Sequence, residues 1–373
     1  VAEYRYHFYD LRSQAYIDTL PVEGASFSTE LRGVGSFSGE CPLFADGLTA
    51  DRVMDATIPH RTKIFVERDN ALVWGGRIVP ARDYDSSTGR LRISAEETLG
   101  AFSSRFLPNL TYAGVDQLVI ARSLLQTLQA DGGGNMGITF GSETSGVMRD
   151  RNYNAGDRTA GLSAFTDLSE VINGFEFATQ VGWGSLGLPE EKLLLGYPRI
   201  GRAQSASGLV LEYDRFTASG GNVSAYSWSD GPGLFTRSWA TTETEENVQV
   251  AASAVNTDLI TAGYPLLEQS ESYDGVTNLS TLEAHALALA TFAAGHRVTA
   301  SFTVPAAEGA ELGDWQLGDD ALVRISDWRF PPNPITGAPG FSGYLRIVGV
   351  GVEPGVEGAE TYTFTMADFL EAL

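Results

Sequence analysis

Alternation of apolar and polar positions dominates the start of the chain. Tyr4, Tyr6 and Phe8 alternate with Arg5, His7 and Tyr9, the two-residue period of a strand with one buried face. Asp10-Leu11-Arg12-Ser13 reads as a turn and Tyr16 to Leu20 as a second strand. Gly33, Gly35 and Gly39 punctuate a further pair around Phe37 and Leu43. On this pattern the first hundred residues are all β. From about Ser104 the period lengthens: Leu118, Ala121, Leu125 and Leu128 fall on one helical face, and Asp131-Gly132-Gly133-Gly134 stops the helix. Leu162, Phe165, Leu168 and Ile172 predict a second amphipathic helix ending at Asn173-Gly174, followed by strands over 175–179 and 192–196 with a Gly-rich connection.

Beyond residue 215 the pattern returns to β. Asn222 to Trp228 and Phe235 to Ala240 bracket Ser229-Asp230-Gly231-Pro232-Gly233, a composition that predicts a hairpin. Ser280-Thr281-Leu282-Glu283 fits a capping box, six alanines follow between Ala284 and Ala294, and Gly295 sits where a C-terminal cap belongs. Pro331-Pro332-Asn333-Pro334 is too proline-rich for a central strand and predicts an exposed loop. The expected fold is mainly β with α+β: two tube-like β-barrel or sandwich modules plus a small α+β insertion. Residues 1–104 form the N-terminal tube-like domain, 105–215 the α+β domain, and 216–373 a β-rich region with one helix and the second module.

The two modules read alike. Residues 63–67, then Gly76-Arg77-Ile78-Val79, a turn from Asp83 to Gly89, Leu91-Arg92-Ile93-Ser94 and a tail Glu96-Glu97-Thr98-Leu99 make one series. Residues 321–325, then Leu345-Arg346-Ile347-Val348, a turn from Glu353 to Gly358, Tyr362-Thr363-Phe364-Thr365 and Met366-Ala367-Asp368-Phe369 make the other. Arg77 and Arg346 are expected at equivalent places. A duplicated module suits a ring-building part, because a few copies then present twice as many similar faces.

Composition narrows the chemistry. At 373 residues the chain has interior for two or three domains. No apolar run nears the roughly 20 residues of a membrane span, and Val1-Ala2-Glu3-Tyr4-Arg5 lacks a signal-peptide layout, so no membrane insertion is expected. Cys41 is the single cysteine, which excludes an internal disulfide and a cysteine-based metal site. A net charge of −22 opposes direct nucleic-acid binding, which needs a basic footprint. It is compatible with DNA passing an acidic wall that does not hold it. Lys63 and Lys192 are the only lysines among 25 basic residues, a bias that points to a high-GC genome.

Catalytic and cofactor motifs find no footing. Neither lysine follows a phosphate-loop pattern, and Gly182-Trp183-Gly184-Ser185-Leu186-Gly187 precedes Pro189 and a β-run where a dinucleotide fold needs a helix. That segment reads as a hairpin turn. His7, His60, His285 and His296 lack metal-ligand spacing, and Cys41 precedes Pro42 in a β-region rather than at a helix start. The carboxylate clusters Glu243/Glu245/Glu246, Glu190/Glu191 and Asp319/Asp320 are expected on solvated faces. No catalytic, cofactor or metal residue is assigned, and the expectation is a protein that is not an enzyme.

The residues also carry a resemblance. Leu20-Pro21-Val22-Glu23-Gly24, Ser26-Phe27-Ser28, Leu31 and Gly35-Ser36-Phe37-Ser38 resemble the opening of minor tail proteins from long-tailed phages of actinobacteria. The similarity continues through residues 68–76, Tyr84-Asp85, Gly89-Arg90-Leu91 and Ala95-Glu96-Glu97, and Asn173-Gly174-Phe175-Glu176-Phe177 is similar to their middle domain. It covers the first hundred residues well and the rest more loosely, through structural signatures rather than catalytic ones. The resemblance implies a tail-tip, or baseplate, hub: a homotrimer with two tube-like domains per subunit, adapting a six-fold tail tube to a three-fold tip around the DNA channel. Implied partners are further copies of the chain, distal tail or tail-tube proteins above, tip, fibre or spike proteins below, a tape-measure protein in the channel, and DNA only in transit. The implied location is the virion tail tip, after synthesis in the host cytoplasm. Some relatives carry a C-terminal peptidoglycan-cutting domain, whereas this sequence ends at Leu373, directly after the second module, so a cell-wall enzyme is not expected. Two other readings stay open: a host-glycan-binding or glycan-cleaving tail component, and the six-fold distal tail ring protein.

Overall fold

The computed structural model describes residues 2–44, 47–80, 82–171, 173–217, 220–230, 235–243, 249–273, 279–293, 298–306, 310–355 and 360–367. Ile172, the Gly231-Pro232-Gly233 turn, Glu245, Glu246, Gly295, His296, the turn residues 356–358 and Asp368-Phe369 lie outside them. The chain divides into two compact units, Val1–Tyr226 with Ser301–Met366, and Ser227–Ala300 with Ala367–Leu373.

In the first unit the predicted opening strands form β1 (Tyr4–Asp10), β2 (Tyr16–Leu20), β3 (Glu23–Glu30) and β4 (Ser36–Pro42). The Asp10 carboxylate closes the first turn by accepting from the Ser13 backbone N–H at 2.9 Å. A short helix α1 (Ala50–Ala56) interrupts the expected all-β run. Thr49 caps it through its side chain, and Val53 and Ala56 bury its inner face, a signal too short for a periodicity argument. The first module continues with β5 (Thr62–Arg68), β6 (Ala71–Ile78), β7 (Asp83–Asp85) and β8 (Arg90–Glu96).

The middle segment supplies β9 (Leu110–Asp116), α2 (Gln117–Ala130), β10 (Ile138–Phe140), β11 (Met148–Tyr153), α3 (Gly161–Glu170), β12 (Glu176–Trp183) and β13 (Pro189–Gly196). Both predicted helices are present. Asp116 caps α2, and Asn173 takes the left-handed conformation just beyond α3. Gly182 to Gly187 is the β12–β13 hairpin turn, with Gly187 at φ +70° and its N–H on the Gly184 carbonyl. Leu118, Leu125 and Leu128 pack with Phe165, Leu168, Phe175 and Phe177 into a core that Leu99 and Phe102 join.

After β14 (Val210–Asp214) and β15 (Ala225–Asp230), the second unit holds β16 (Arg237–Glu243), β17 (Gln249–Val255), α4 (Thr257–Thr261), β18 (Glu268–Ser272) and α5 (Leu279–Ala293). β16 pairs antiparallel with β17 and parallel with β18, and α5 buries Leu282 and Ala286 against Ala240 and Ala252. This overturns the predicted 222–240 hairpin. β15 belongs to the large sheet beside β19 (Val298–Pro305), whereas β16 finds its partners through Thr236 and Leu267, a pairing distant in sequence. Ser280 is already helical in α5 rather than its cap.

The first unit ends with β20 (Asp320–Ser326), β21 (Phe341–Glu353) and β22 (Thr361–Ala367). A sheet of 14 strands runs β15-β19-β22-β21-β3-β4-β8-β6-β5-β1-β2, with β14, β20 and β7 off this path. The fold is mainly β with small α+β parts. Its path stays open at β15 and β2, so the modules do not close into barrels among the described residues. The strand order β5-β6-β8 in the first module matches β20-β21-β22 in the second. Arg77 stands opposite Lys63 and Arg346 opposite Asp320, and each is followed by a fully buried isoleucine, Ile78 or Ile347. The modules differ at their flanks: β1 runs antiparallel to β5, but β14 runs parallel to β20. β21 joins the modules, pairing with β20 through its first half and with β3 through Gly349 to Val352.

Each module has its own aromatic centre. Phe37 and Phe27 pack on Trp74, whose indole N–H donates to the Ser28 carbonyl at 2.9 Å. Trp315 meets the edges of Tyr362 and Phe364, and its N–H donates to the Ala310 carbonyl at 3.1 Å. Burying each such side chain stabilises the fold by about 1.5–3 kcal/mol.

Candidate functional site

The chemistry-bearing residues of the first unit converge on two buried nodes between the large sheet and the middle segment. In one, Arg346 on β21 donates to both Glu176 carboxylate oxygens, the Nη1 bond being 2.6 Å. Its Nε donates to the Gly318 carbonyl at 3.0 Å and its Nη2 to the Ile200 carbonyl at 2.7 Å. The Ile200 N–H returns a bond to Glu176 at 2.7 Å. Beside it Arg199 pairs with Asp320 at 2.7 Å, and Arg202 donates through its backbone N–H and Nε to Asp319 at 2.6 and 3.0 Å. The backbone crossing at this node requires glycine. Gly201 has φ +86°, and a Cβ there would lie 2.2 Å from the Gly318 carbonyl carbon.

In the second node Lys63 on β5 pairs with Glu191 on β13, which also accepts from the Thr98 hydroxyl at 2.8 Å. Glu97 lies close by, 2 % exposed, and accepts from the Gly35 N–H at 3.0 Å. Burial, joined by the charges of Glu191 and Glu30, pushes the Glu97 carboxyl up to about 8 against the bonds that favour its ionised form. Away from both nodes the buried Glu360 takes two bonds from Arg68 at 2.6 and 2.9 Å and one from the Tyr4 hydroxyl at 2.7 Å.

These positions correct the expectation that the acidic pairs face solvent. Glu191, Asp319 and Asp320 are buried, because Lys63, Arg202 and Arg199 reach them from segments that sequence adjacency does not connect. Glu190 is the exposed member of its pair. Glu176 and Glu360, also buried, escape a cluster search because each stands apart in sequence from the clusters singled out. Glu176, Asp319 and Asp320 are clamped by guanidinium groups and Glu191 by Lys63, and these pairs tie the middle segment and residues 199–202 to the large sheet.

The remaining candidates among the described residues are partnered or buried. His7 bonds the Thr19 hydroxyl at 2.7 Å and Glu67 at 3.3 Å, His60 meets Arg77 at 2.9 Å, and His285 stacks on Tyr273 with ring centres 4.0 Å apart. Cys41 is fully buried, and burial pushes its thiol up to about 12, far from a reactive thiolate. No cluster of three or more His, Cys, Asp or Glu arranged for a metal occurs among the described residues. No helix among them is long and apolar enough to cross a membrane.

The first unit also exposes large apolar side chains. Trp328 is 77 % and Ile335 92 % exposed on the β20–β21 loop, with Phe216 packed edge-on to Trp328 at 4.9 Å. The loop is the predicted proline-rich segment, and it is exposed as expected. Elsewhere a groove of about 230 Å³ lies among β3, β6, β12, β21 and the 312–317 segment, lined by Leu72, Val181, Leu312, Trp315, Leu317 and Val350 among others.

No protein-family model matches the sequence, and no curated protein matches it. Solved structures do match in fold. A tail protein from Neisseria meningitidis is similar with a TM-score of 0.62 at 13 % identity, over 98 % of this chain and 96 % of that one. The 43 kDa tail protein of prophage MuSo2 from Shewanella oneidensis has a TM-score of 0.60 at 10 % identity, over 98 % of both chains. A prophage tail protein from Listeria monocytogenes has a TM-score of 0.56 at 12 % identity, over 97 % of this chain and 94 % of that one. Nearly the whole chain therefore shares its fold with phage tail proteins.

Proposed function

We propose that this chain is a structural, non-enzymatic component of a phage tail, the hub of the tail tip. Three copies form a ring in which the two β-modules of each subunit supply six similar parts, meeting a six-fold tube on one side and a three-fold tip on the other. The observation that carries this reading is the repeated strand order β5-β6-β8 and β20-β21-β22 within one continuous sheet. The likeness to tail proteins over nearly the full chain supports it, as does the pairing of Glu176, Glu191, Asp319 and Asp320 with basic side chains.

In this assembly residues 1–104 and the second module of 216–373 form the tube-like wall, with 105–215 clamped to it through Lys63–Glu191 and Arg346–Glu176. Partners are the distal tail or tail-tube proteins above, tip, fibre or spike proteins below, and a tape-measure protein in the channel. DNA meets the hub only in transit, and the net charge of −22 suits a conduit that repels the phosphate backbone. The place of action is the tail tip of a virion assembled in the host cytoplasm, and the sequence resemblance favours a long-tailed phage of actinobacteria.

A symmetry-resolved cryo-EM map of the intact tail tip tests the reading. Three copies around the axis, each contributing two wall modules, is the expected result. Six copies would assign the chain to the distal ring, and sugar release from host envelopes by the purified chain would assign it to glycan cleavage.

A further inference from the structure

The β12–β13 hairpin is fastened to the large sheet by different means at its two ends. At the Glu176 end, Arg346 of β21 grips the carboxylate through both oxygens. Toward the tip the hold on the first module is small. Val181 and Glu191 stand directly opposite each other in the hairpin, so their side chains share one face. Val181 packs on the cluster of Tyr9, Phe65 and Leu72, while Glu191 takes Lys63 and the Thr98 hydroxyl. Beyond them the Trp183 indole N–H donates to the Asn70 carbonyl at 3.2 Å, with its ring edge-on to His7.

Glu97 stands at this weaker end. Its backbone N–H donates to the Gly35 carbonyl at 2.9 Å, and its Oε2 accepts from the Gly35 N–H at 3.0 Å. Thr179 of β12 and Glu191 of β13 stand beside it from the hairpin, and Glu30 of β3 from the sheet. Lys63 is already committed to Glu191, and Arg77 to the neighbouring Glu96 at 3.1 Å. The space beside the Lys63–Glu191 pair is about 10 Å³, no more than one water needs, so solvent screens it little. Ionised, Glu97 places a second carboxylate charge near Glu191 in a dry interface, where like charges repel strongly. Burial, with the charges of Glu191 and Glu30, keeps its proton in place up to about pH 8.

We propose that Glu97 is a proton latch on the hairpin: protonated, it lets β12 and β13 lie closed on the first module, and ionised, it releases their Glu191 end. The hairpin then swings about the Glu176–Arg346 pair and widens the groove that Thr179, Gln180 and Val181 share with β3 and β6. The latch is independent of the hub reading. Its pH response follows from linkage. The closed form keeps the proton up to about 8, whereas the open form, with Glu97 in water, gives it up at an ordinary 4.5. Opening therefore grows about tenfold per pH unit between these values and levels off above the higher one.

Hydrogen exchange of the full wild-type chain tests this, read by mass spectrometry from about pH 6 to about pH 9 and corrected for the intrinsic pH dependence of amide exchange. Amides of residues 177–183 and 190–196 should open about tenfold more often per pH unit up to about pH 8 and then level off. They should also outpace the β20–β21 amides by a ratio that grows over the same interval. Glu97→Gln should abolish that growth. His7, against Trp183, and its partner Glu67 are unchanged in this variant, so a pH response that survives in it would belong to them and overturn the latch. A hairpin that exchanges no faster than β20–β21 at every pH would mean that the unit opens only as a whole, which overturns it too. Should Glu97→Gln fail to fold, Leu72→Cys in the otherwise wild-type chain decides. Leu72 is buried in the groove wall, and a thiol reagent should reach position 72 ahead of the buried Cys41 by a margin that widens from about pH 6 to about pH 8. The ratio of the two rates cancels the reagent's own pH dependence, and a ratio that does not change with pH would refute the proposal.

Discussion

Glu97 makes the stability of the first unit depend on pH in an unusual direction. Its carboxyl is pushed up to about 8 from an ordinary 4.5 by burial first, with Glu191 and Glu30 adding to it. The folded chain therefore holds this proton more tightly than the unfolded chain does. The contribution is fully present below about 4.5 and is lost progressively as pH rises toward about 8. At about 1.4 kcal/mol per unit, the gap corresponds to an upper bound of roughly 4–5 kcal/mol. Glu97→Gln keeps the shape and an oxygen to accept the Gly35 N–H but carries no titratable proton. Urea unfolding of both proteins at intervals from pH 5 to pH 9 isolates the term, because all other groups titrate in both. The wild type should lose several kcal/mol relative to the variant across this range, with most of the loss complete by about pH 8. A difference that stays constant with pH, or one that grows in favour of the wild type as pH rises, would refute the reasoning.

The clamps supply further expectations. Arg346→Met strands Glu176 in the interior and should cost about 3–5 kcal/mol in chemical denaturation, and adding Glu176→Met should recover much of it. Gly201→Ala should impair folding severely, because a Cβ collides with Gly318 at a backbone angle that favours glycine, and thermal unfolding would register it. Cys41 should resist thiol reagents in the native chain at pH 8 and react fully in urea; fast native labelling would contradict its burial.

Local pattern made many of the elements legible. The Leu118–Leu128 face and its Gly stop predict α2 within a residue or two, and the Arg-Ile-Val repeats predict the middle strands of both modules. The failures share a physical cause. The 222–240 segment looked like a hairpin because its turn residues are local, whereas its strands are claimed by different sheets through distant partners. Asp319, Asp320 and Glu191 looked like solvated acids because the arginines and the lysine that neutralise them lie more than a hundred residues away. The loop at 331–334 was legible as exposed from its prolines, but the groove depends on β3, β12 and β21 coming together, which periodicity does not encode.

The position of β21 between the two modules sets a timetable for biosynthesis. β3 has one neighbour, β4, from the opening stretch of the chain, and its other edge waits for Gly349–Val352. Tyr4 and Arg68 likewise wait for Glu360. At about 5–20 residues per second, that edge stays bare on the ribosome for on the order of half a minute. A nascent or prematurely terminated chain thus exposes an unpaired strand that invites wrong partners. For the ring proposed above, the same delay makes assembly self-checking: a subunit acquires its finished wall only after the segment that carries both the β20–β21 loop and the last strands has been made, so an incomplete copy has no complete face to offer.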